Sequence, residues 1–382
     1  MKSSQLQAFI KTVNELGRTP RGFDRKNASD QATFKAVFRA SKSATIDLWE
    51  IYTQRREDLS RKLVSNQETV VSYLLGFHLA NIERAKELYH RSDLRHRWKA
   101  KLKGKIVRVY DIGCGTAAMS LALDIDAEYF LIDSSGPLLD AANILAKNHQ
   151  INAKTSKRAI EDLEPKQFTS KDVESDVHIY LLGYVWNELG KNATARRKLM
   201  RIITGHIARK EKCLVFVTEP AIEFMSRSAM ELRDDLCQAG YLALYPCPHS
   251  NPCPMLQRPK DWCYSEGHWS QPELAQWIDD QLDINRSRYA STMFAFASPA
   301  LELSSDEKPV VVGRPVREEG KERYKGFFDY LICDENTIRK ETPKQPKQVI
   351  SRGNLYEEKK VEEIKQTANT KRPGAKKTKR LS

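Results

Sequence analysis

The first hundred residues carry apolar side chains at helical spacing. Apolar positions recur three and four residues apart in two segments, Leu6, Phe9, Ile10 and Val13 and then Val70, Val71, Leu74, Leu75 and His78. This spacing places the apolar side chains on one face of a helix. Lysine and arginine occupy many of the remaining positions. The pattern predicts a helical N-terminal domain over residues 1–100.

After residue 105 short apolar runs alternate with helical segments. The runs are IVRVYDIG from Ile106, AEYFLID from Ala127, VHIYLLG from Val177 and CLVFVTEP from Cys213, with a further strand near 152–157. Nearly continuous apolar strands separated by helices are typical of a parallel sheet that is covered on both faces. The pattern predicts an α/β domain over residues 101–240.

The C-terminal part of the chain divides into two regions. Residues 241–339 hold a cysteine-rich loop and strand-like runs, STMFAFAS from Ser291, PVVVGRPV from Pro309 and FFDYLIC from Phe327. Residues 340–382 lack a core pattern and end in KRPGAKKTKR, in which six of ten residues are basic. Such a composition predicts a basic, disordered tail.

Charge is distributed unevenly along the chain. The net charge is +13, with +11 in residues 1–105, +8 in residues 340–382 and −6 between them. Two basic ends on an acidic centre favour contact with a polyanion, such as nucleic acid, through the ends. The alternative is that the basic ends only aid solubility.

The sequence also limits the compartment. No apolar run is long enough to span a bilayer, and the N-terminus MKSSQLQAFIKTVNEL lacks the apolar core of a secretory signal. We therefore expect a cytoplasmic protein, or alternatively one of the mitochondrial matrix, without a membrane partner. In a reducing compartment clustered cysteines are more often metal ligands than disulfides.

A glycine-rich turn lies between the first apolar run and the next helix. Its sequence is DIGCGTAA, from Asp111 to Ala118, and Gly113 and Gly115 allow the backbone to turn sharply and approach a ligand. Asp133 ends the following strand, eighteen residues after Gly115. A carboxylate at that position can accept hydrogen bonds from both ribose hydroxyls of an adenosine. The constellation predicts a nucleotide-type cofactor site.

The details of this turn favour a cationic cofactor. Ala117 stands where a third glycine is often found, and Asp111 would repel a pyrophosphate. S-adenosylmethionine carries a sulfonium and an ammonium group, and the segment resembles the D-x-G-x-G motif of Rossmann-like class I methyltransferases. That resemblance implies adenine contacts from Glu161 or Asp162 and places Gly183 at the strand end that faces the methyl group. The alternative is a glycine turn that serves only backbone geometry.

The segment after Gly183 does not identify a catalytic residue. It lacks the D/N-P-P-Y sequence of amino-methylating enzymes, and no nucleophilic cysteine lies near it. Trp186 could stack on a base, with Asn187 or Glu188 hydrogen-bonding to it. Equally, Trp186 could belong to the core and the next two residues to a helix start. The catalytic residue therefore stays unknown.

Three cysteines lie in a short loop that is rich in proline. Cys247, Cys253 and Cys263 are spaced Cys-x5-Cys-x9-Cys, and Cys333 follows seventy residues later. Thiolates suit Zn²⁺ or an iron–sulfur cluster, although the paired C-x2-C of a zinc ribbon is missing. His249 and His268 could be substitute ligands. The alternative is that these cysteines are buried structural thiols, as we expect for Cys114, Cys213 and Cys237.

Taken together, these segments resemble a known family. DIGCGTAA, WNEL, TEPA at Thr218–Ala221, the PCPHSNPCP loop and Cys333 are similar to the methyltransferase-like assembly factors of the small ribosomal subunit in bacteria and mitochondria. The resemblance covers roughly residues 100–335. It implies a class I methyltransferase fold, binding to small-subunit rRNA during assembly, and a [4Fe-4S] cluster on Cys247, Cys253, Cys263 and Cys333.

The leading hypothesis is an S-adenosylmethionine-dependent rRNA methyltransferase with a structural [4Fe-4S] cluster. It would act as a monomer on a ribosomal assembly intermediate. The alternative is a non-catalytic rRNA-binding assembly factor with a degenerate methyltransferase fold, or with zinc in the cysteine site. Space after Gly183 distinguishes the two, because an open pocket favours an enzyme and a filled one favours a scaffold.

Overall fold

The chain folds into an N-terminal group of helices packed on one face of a large mixed sheet. A computed structural model describes residues 3–55, 64–168, 175–190, 192–303, 308–313, 330–334, 337–341 and 352–356. Most of the basic tail predicted for 340–382 lies outside these ranges. None of the helices within them is both long enough and apolar enough to cross a membrane.

The N-terminal helices form as the apolar spacing predicts. They are α1 Ser3–Leu16, α2 Asp30–Thr53, α3 Gln67–Tyr73 and α4 Leu79–His96, and a π-helical turn at Leu74–His78 joins α3 to α4. The Ser29 hydroxyl accepts from Ala32 N and caps α2. Asn66 and Thr69 form a reciprocal capping box at the start of α3. Helices α2 and α3 thus begin where a polar side chain accepts from one of their free backbone N–H groups.

The central sheet contains eight strands. They are β1 Val107–Ile112, β2 Glu128–Asp133, β3 Ala153–Lys157, β4 Val177–Gly183, β5 Cys213–Pro220, β6 Leu242–Tyr245, β7 Ser265–His268 and β8 Arg288–Ala297. Their order is β3-β2-β1-β4-β5-β8-β6, with β7 paired to β8. The first five strands are parallel, whereas β8 runs antiparallel to β5, β6 and β7. The predicted parallel α/β sheet is confirmed.

Helices cover both faces of this sheet. They are α5 Ala118–Leu123, α6 Gly136–Asn148, α7 Val185–Leu189, α8 Ala193–Ala208, α9 Glu223–Gln238 and α10 Glu273–Leu282. Successive strand residues point to opposite faces, so in β4 Ile179 packs with the N-terminal helices and α6, while Tyr180 packs with α8 and α9. The N-terminal helices therefore share one apolar core with the sheet.

Residues beyond 240, which the sequence assigns to a separate region, supply three strands of the central sheet. They also form a second, three-stranded sheet from β9 Val310–Gly313, β10 Tyr330–Cys333 and β11 Ile338–Glu341. The structure differs here from the predicted disorder after residue 340. Residues 340–341 belong to β11, and in residues 352–356 Gly353 N donates to Val311 O at 2.7 Å.

The C-terminal segment 352–356 also touches the N-terminal helices. Arg95 of α4 donates from Nη2 to Gly353 O at 2.8 Å and from Nη1 to Pro246 O at 2.9 Å. Arg91, one turn earlier, donates to Glu266 O at 2.9 Å. Helix α4 therefore joins the cysteine loop and the C-terminal segment to the N-terminal helices.

Candidate functional site

The glycine turn between β1 and α5 has the backbone conformation that its sequence requires. Gly113 and Gly115 have φ values of 67° and 52°, in the left-handed region that favours glycine. A Cβ at Gly113 would lie 2.6 Å from Val185 Cγ2, whereas one at Gly115 would meet no atom within 4 Å. Gly113 is therefore also required by packing, and open space lies beside Gly115.

Ala117 is the position where a third glycine is often found. It adopts φ 57° and is fully buried, so alanine is accommodated in the left-handed region directly before α5. The cost of that conformation for a residue with a Cβ is about 1–2 kcal/mol. The departure from the usual motif leaves the turn intact.

Asp133 holds the glycine turn in place. Its Oδ2 accepts from Gly115 N at 2.8 Å and its Oδ1 accepts from Ser135 N at 2.8 Å. Burial raises the pKa of this carboxyl, and the backbone hydrogen bonds oppose that rise. Because a carboxylate oxygen has two lone pairs, both oxygens retain capacity to accept from a hydroxyl.

Asp111 is directed toward the protein rather than toward an open surface. It is 2% exposed, and its Oδ2 accepts from Ser120 Oγ at 2.7 Å and from Ser120 N at 3.3 Å. Burial raises the pKa of Asp111 to about 7, although both hydrogen bonds from Ser120 lower it. The carboxyl therefore ties the end of β1 to the first turn of α5.

The strand end at Gly183 is closely packed. A Cβ on Gly183 would lie 2.6 Å from Met119 Sδ, and Met119 is itself buried. Asp162, at the end of the 3-10 turn Ile160–Asp162, is exposed. The structure thus brings Asp133, the glycine turn and Gly183 to the carboxyl edge of the parallel strands, with Asp162 on the surface beyond β3.

Trp186 lies in the core, so the second of the two alternatives for this segment holds. Its indole Nε1 donates to Ser228 O at 3.1 Å, and the guanidinium carbon of Arg196 lies 4.7 Å from its ring centroid. Asn187 and Glu188 belong to α7. Trp186 is therefore not available for stacking on a base.

Glu219 is an important residue of the site that the sequence analysis did not single out. It is fully buried at the end of β5, and its Oε1 accepts from Trp186 N at 2.8 Å and Asn187 N at 3.3 Å. Asn187 Nδ2 also donates to Glu219 Oε2 and, at 2.7 Å, to Tyr184 O. Burial raises the pKa of Glu219 to about 8. An acid ending an apolar strand was the signal that could have identified it.

The N-terminal helices contact the glycine turn directly. His78, in the π-helical turn, shares a hydrogen bond of 2.8 Å between Nδ1 and Thr116 Oγ1. Its ring stacks on Phe9, with 5.8 Å between centroids, and burial lowers the pKa of His78 to about 3. A neutral, buried histidine therefore connects the helical domain to the loop. π-helical turns are frequent at functional sites.

An aromatic cluster lies beside the same edge of the sheet. It consists of four half-buried side chains from α2, α3 and the π-helical turn, namely Trp49, Tyr52, Tyr73 and Phe77. The ring of Phe77 lies 5.0–5.3 Å from those of the other three. Burial raises the pKa of Tyr73, and the nearby Glu188 and Asp133 raise it further. The cluster therefore forms one wall beside Asp133.

The four predicted cysteine ligands line a single cavity. The cavity is bordered by Cys247, Cys253, Cys263 and Cys333, which are all free thiols. Cys333 Sγ lies 3.6 Å from His249 Nε2, and His249 also lines the cavity. Burial raises the pKa of Cys253 to about 12 and raises those of Cys263 and Cys333 as well. His268 is exposed on β7 and does not line this cavity.

Helix α9 positions the cysteine loop through two charged neighbours. Arg233 is fully buried, lines the cavity and donates from Nη2 to His249 O at 2.5 Å. Asp234 accepts from Cys253 N at 3.0 Å on both carboxylate oxygens. A buried cation beside four thiols offsets negative charge on them.

The fold and the geometry of the site together define a class I methyltransferase fold. Its mostly parallel sheet contains one antiparallel strand, β8, between β5 and β6, and a glycine turn follows the first strand, β1. Residues 105–361 match the family described as Mitochondrial small ribosomal subunit Rsm22. This match covers more than half of the chain, and the protein belongs to that family. The predicted resemblance to methyltransferase-like small-subunit proteins is confirmed at this level.

Solved structures with similar folds include several methyltransferases of low sequence identity. Magnesium protoporphyrin IX methyltransferase from Synechocystis PCC 6803, solved with bound SAM, is 12% identical, with 68% of this chain and 97% of that chain covered and a TM-score of 0.34. An rRNA methylase from Streptococcus thermophilus is 11% identical over 57% and 96%, with a TM-score of 0.32. N-methyltransferase NodS from Bradyrhizobium japonicum is 11% identical over 67% and 98%, with a TM-score of 0.35. No curated protein matches the sequence significantly.

Proposed function

We propose that the protein binds S-adenosylmethionine at the carboxyl edge of its sheet and acts on small-subunit rRNA during ribosome assembly. The observation that supports this most directly is the pairing of Asp133 with the glycine turn beside open space at Gly115. Ligands of open α/β sheets bind outside the carboxyl ends of the strands. The residues that we propose for the cofactor site are Asp111, Gly113, Gly115, Asp133, Asp162 and Gly183.

Four of these residues have a distinct task in the proposal. Asp133 accepts hydrogen bonds from the ribose hydroxyls. The exposed Asp162 contacts the adenine. Asp111 provides negative charge behind the glycine turn, and a nearby cation would lower its raised pKa. The cofactor, when bound, supplies an electrophilic methyl group. The absence of a Cβ at Gly115 leaves its backbone accessible.

Calorimetry tests the cofactor site. Asp133→Ala should weaken S-adenosylmethionine binding at least 100-fold, because both ribose contacts and the Gly115 hydrogen bond are lost. Asp140→Ala, an exposed position in α6, is the matched control and should bind normally. Unchanged affinity in a folded Asp133→Ala protein would rule out the pocket.

A second candidate function is a non-catalytic assembly factor, which two contacts favour. Met119 occupies the space beside Gly183, where a methyl acceptor would approach. The amide nitrogen of Asn187 already donates to Tyr184 and Glu219, so it is not free to bind a target. Methyl transfer from labelled cofactor to purified small-subunit rRNA separates the two functions: transfer that Asp133→Ala abolishes supports the enzyme, and tight binding without transfer supports the scaffold.

For the cysteine site we propose a structural [4Fe-4S] cluster on Cys247, Cys253, Cys263 and Cys333. A tetrahedral zinc site with bonds of about 2.3 Å would hold its sulfurs roughly 3.8 Å apart. Among the described residues, however, no three cysteines bring their sulfurs within 4.8 Å of one another. Four soft thiolate ligands around one cavity, with Arg233 to offset negative charge, are a ligand set that an iron–sulfur cluster uses.

The family supports the remaining parts of the proposal. A small ribosomal subunit family fits a protein that binds rRNA, and its mitochondrial description favours the matrix over the cytoplasm. Phosphate contacts would come from the basic ends, with affinity that falls as salt rises. We propose a monomer bound to a ribosomal assembly intermediate. Filter binding of rRNA at several salt concentrations, with and without residues 371–382, tests the contribution of the tail.

A further inference from the structure

Two histidines and a glutamate meet at the edge of the sheet opposite the cofactor pocket. His178 is the second residue of β4, His206 lies in the last turn of α8, and Glu211 comes just before β5. Within the described ranges, these residues each offer one ligand atom, and the three atoms lie within 4.8 Å of one another. Because β4 and β5 are parallel, the cluster lies at their amino ends, away from Gly183.

His178 brings an unpaired nitrogen to this cluster. It is 6% exposed, and its Nδ1 is buried without a hydrogen-bond partner. Its ring lies 4.5 Å from that of His206, measured between centroids. A buried polar atom without a partner is unfavourable, because it has lost its hydrogen bonds to water. A buried, unpaired ring nitrogen on a residue that meets two further ligand groups therefore indicates a missing partner.

His206 is held in the manner of a metal ligand, and its direct hydrogen bond to Glu211 is one that a bound ion would replace. His206 Nδ1 lies 2.6 Å from Glu211 Oε2, and His206 Nε2 lies 2.8 Å from the hydroxyl of Tyr180. Metal-binding histidines usually have their second nitrogen fixed by such a partner. If Nδ1 binds a metal, Nε2–H can donate to Tyr180, because a hydroxyl both donates and accepts.

We propose that His178, His206 and Glu211 form a binding site for a divalent cation of the zinc class, with water in the fourth position. Two imidazoles and one carboxylate are a ligand set that Zn²⁺ uses. The Glu211 side chain is 31% exposed, which gives the ion a route from solvent. The site shares no residue with the cysteine cavity or the cofactor pocket.

Arg209 limits the affinity of this site. Its Nε donates to Glu211 Oε1 at 2.9 Å, and its Nη2 lies 3.3 Å from His206 Nδ1. An arriving cation must displace this guanidinium, whose side chain is 35% exposed and can turn outward. Removing a like charge at this distance should tighten Zn²⁺ binding about tenfold or more.

Equilibrium dialysis against Zn²⁺ tests the proposal, with metal per chain measured by mass spectrometry on the anaerobically purified full chain. The wild type should bind one more equivalent than His178→Phe. His149 is a half-buried histidine elsewhere in the fold, and its Nε2 also has no hydrogen-bond partner. The control variant His149→Phe should therefore keep the additional equivalent of zinc. Arg209→Ala should bind it at least tenfold more tightly.

Two results would overturn the site. One is equal zinc in the wild type and a folded His178→Phe protein; the other is no gain in affinity for Arg209→Ala. Either result makes the cluster a purely structural contact between α8 and β5. If His178→Phe does not fold, as judged by circular dichroism, Glu211→Ala replaces it, since its side chain is partly exposed. Loss of the extra equivalent in Glu211→Ala then supports the site, and retention overturns it.

Discussion

The residues of the proposed cofactor pocket come from successive units of one α/β pattern, whereas the four cysteines come from the region between β6 and β7 and from a strand of the second sheet. Asp133 and Gly183 end their strands, Asp111 is the last residue but one of the strand between them, and backbone groups such as Gly115 N complete the proposed pocket. Three cysteines belong to the region between β6 and β7, while Cys333 ends β10 of the second sheet. The pocket therefore depends on backbone conformation, and the cysteine site depends on side chains that join distant parts of the chain.

The largest effect should follow from breaking the cysteine site. With Cys333→Ser the proposed cluster loses its ligand on β10, and iron and sulfide should fall from about four each per chain to near zero. A cross-link that closes a loop of about seventy residues contributes roughly 4 kcal/mol in the chain-entropy model, so the free energy of unfolding should drop by a similar amount. Metal analysis and urea unfolding under nitrogen measure both.

Cys237→Ser is the matched control, because Cys237 packs against the same core without lining the cavity. It should retain iron, sulfide and most of the stability. One zinc per chain and no iron in the wild type would replace the cluster with a zinc site. Full iron in Cys333→Ser would contradict the ligand assignment.

Substitutions in the proposed cofactor pocket should lower the free energy of unfolding by a smaller amount, as the two glycines of its turn show. Gly113→Ala combines a left-handed backbone with a contact of 2.6 Å to Val185, so unfolding should become easier by about 3 kcal/mol. Gly115→Ala has only the backbone cost, about 1–2 kcal/mol, since its Cβ enters open space. Urea unfolding measures the difference between the two variants.

The order of Gly113→Ala and Gly115→Ala in cofactor affinity should differ from their order in stability. The Cβ of Gly115→Ala enters the space that we assign to the cofactor, so its binding should weaken more than its stability predicts. Calorimetry at a temperature where both variants are folded makes this comparison. Equal affinities for Gly115→Ala and the wild type would place the cofactor elsewhere.

The pH dependence of stability should report on Glu219. Its pKa is about 8 in the folded protein, against an ordinary value of 4.5, so the folded state holds the proton more tightly than the unfolded chain. The contribution of this carboxyl group to the free energy of unfolding is fully present below about pH 4.5. It is lost as the pH rises to about 8, by at most about 1.4 kcal/mol per pH unit. Thermal unfolding across this range should show a shallower decline for Glu219→Gln than for the wild type. Parallel profiles for the two proteins would assign the slope to other buried acids, such as Asp111.

The contact between the helical domain and the proposed pocket should have an effect of similar size to that of Gly115→Ala. Thr116→Val removes the hydroxyl that bonds to His78 and leaves a buried ring nitrogen unpaired, which costs about 1–3 kcal/mol. Cofactor affinity should fall with it, because Thr116 belongs to the glycine turn. Thr116→Ser keeps the hydroxyl and should restore both properties, as measured by unfolding and calorimetry.

The same comparison explains how far the sequence could predict the structure. Strands such as β4 and β5 are continuous apolar runs, so their existence and parallel order follow from the pattern. β6 and β7 were missed because each has four residues, and SEGH of β7 has no apolar alternation. The contact of Met119 with Gly183 depends on tertiary packing, and no local pattern indicates it.

Side-chain roles were harder to predict than positions. Asp111 was predicted to open the glycine turn, and the folded structure places it near the end of β1 with its carboxyl bonded to Ser120. Trp186 left two interpretations open, and its burial depends on Ser228 and Arg196 from other helices. Cys333 was recognised through a family resemblance, since its distance along the chain gives no sign of the cavity that it lines.

The hydrogen bonds from α4 to residues 352–356 have a consequence for biosynthesis. Arg95 cannot reach Gly353 O until nearly the whole chain has left the ribosome that makes it. The same is true of the backbone pairing between Gly353 and Val311. The contact of helix α4 with Gly353 and the pairing of Gly353 with Val311 therefore form only after most of the chain has been synthesised. Completion of the fold is a late event, and a nascent chain that stalls before residue 353 would expose an unfinished edge to proteases and chaperones.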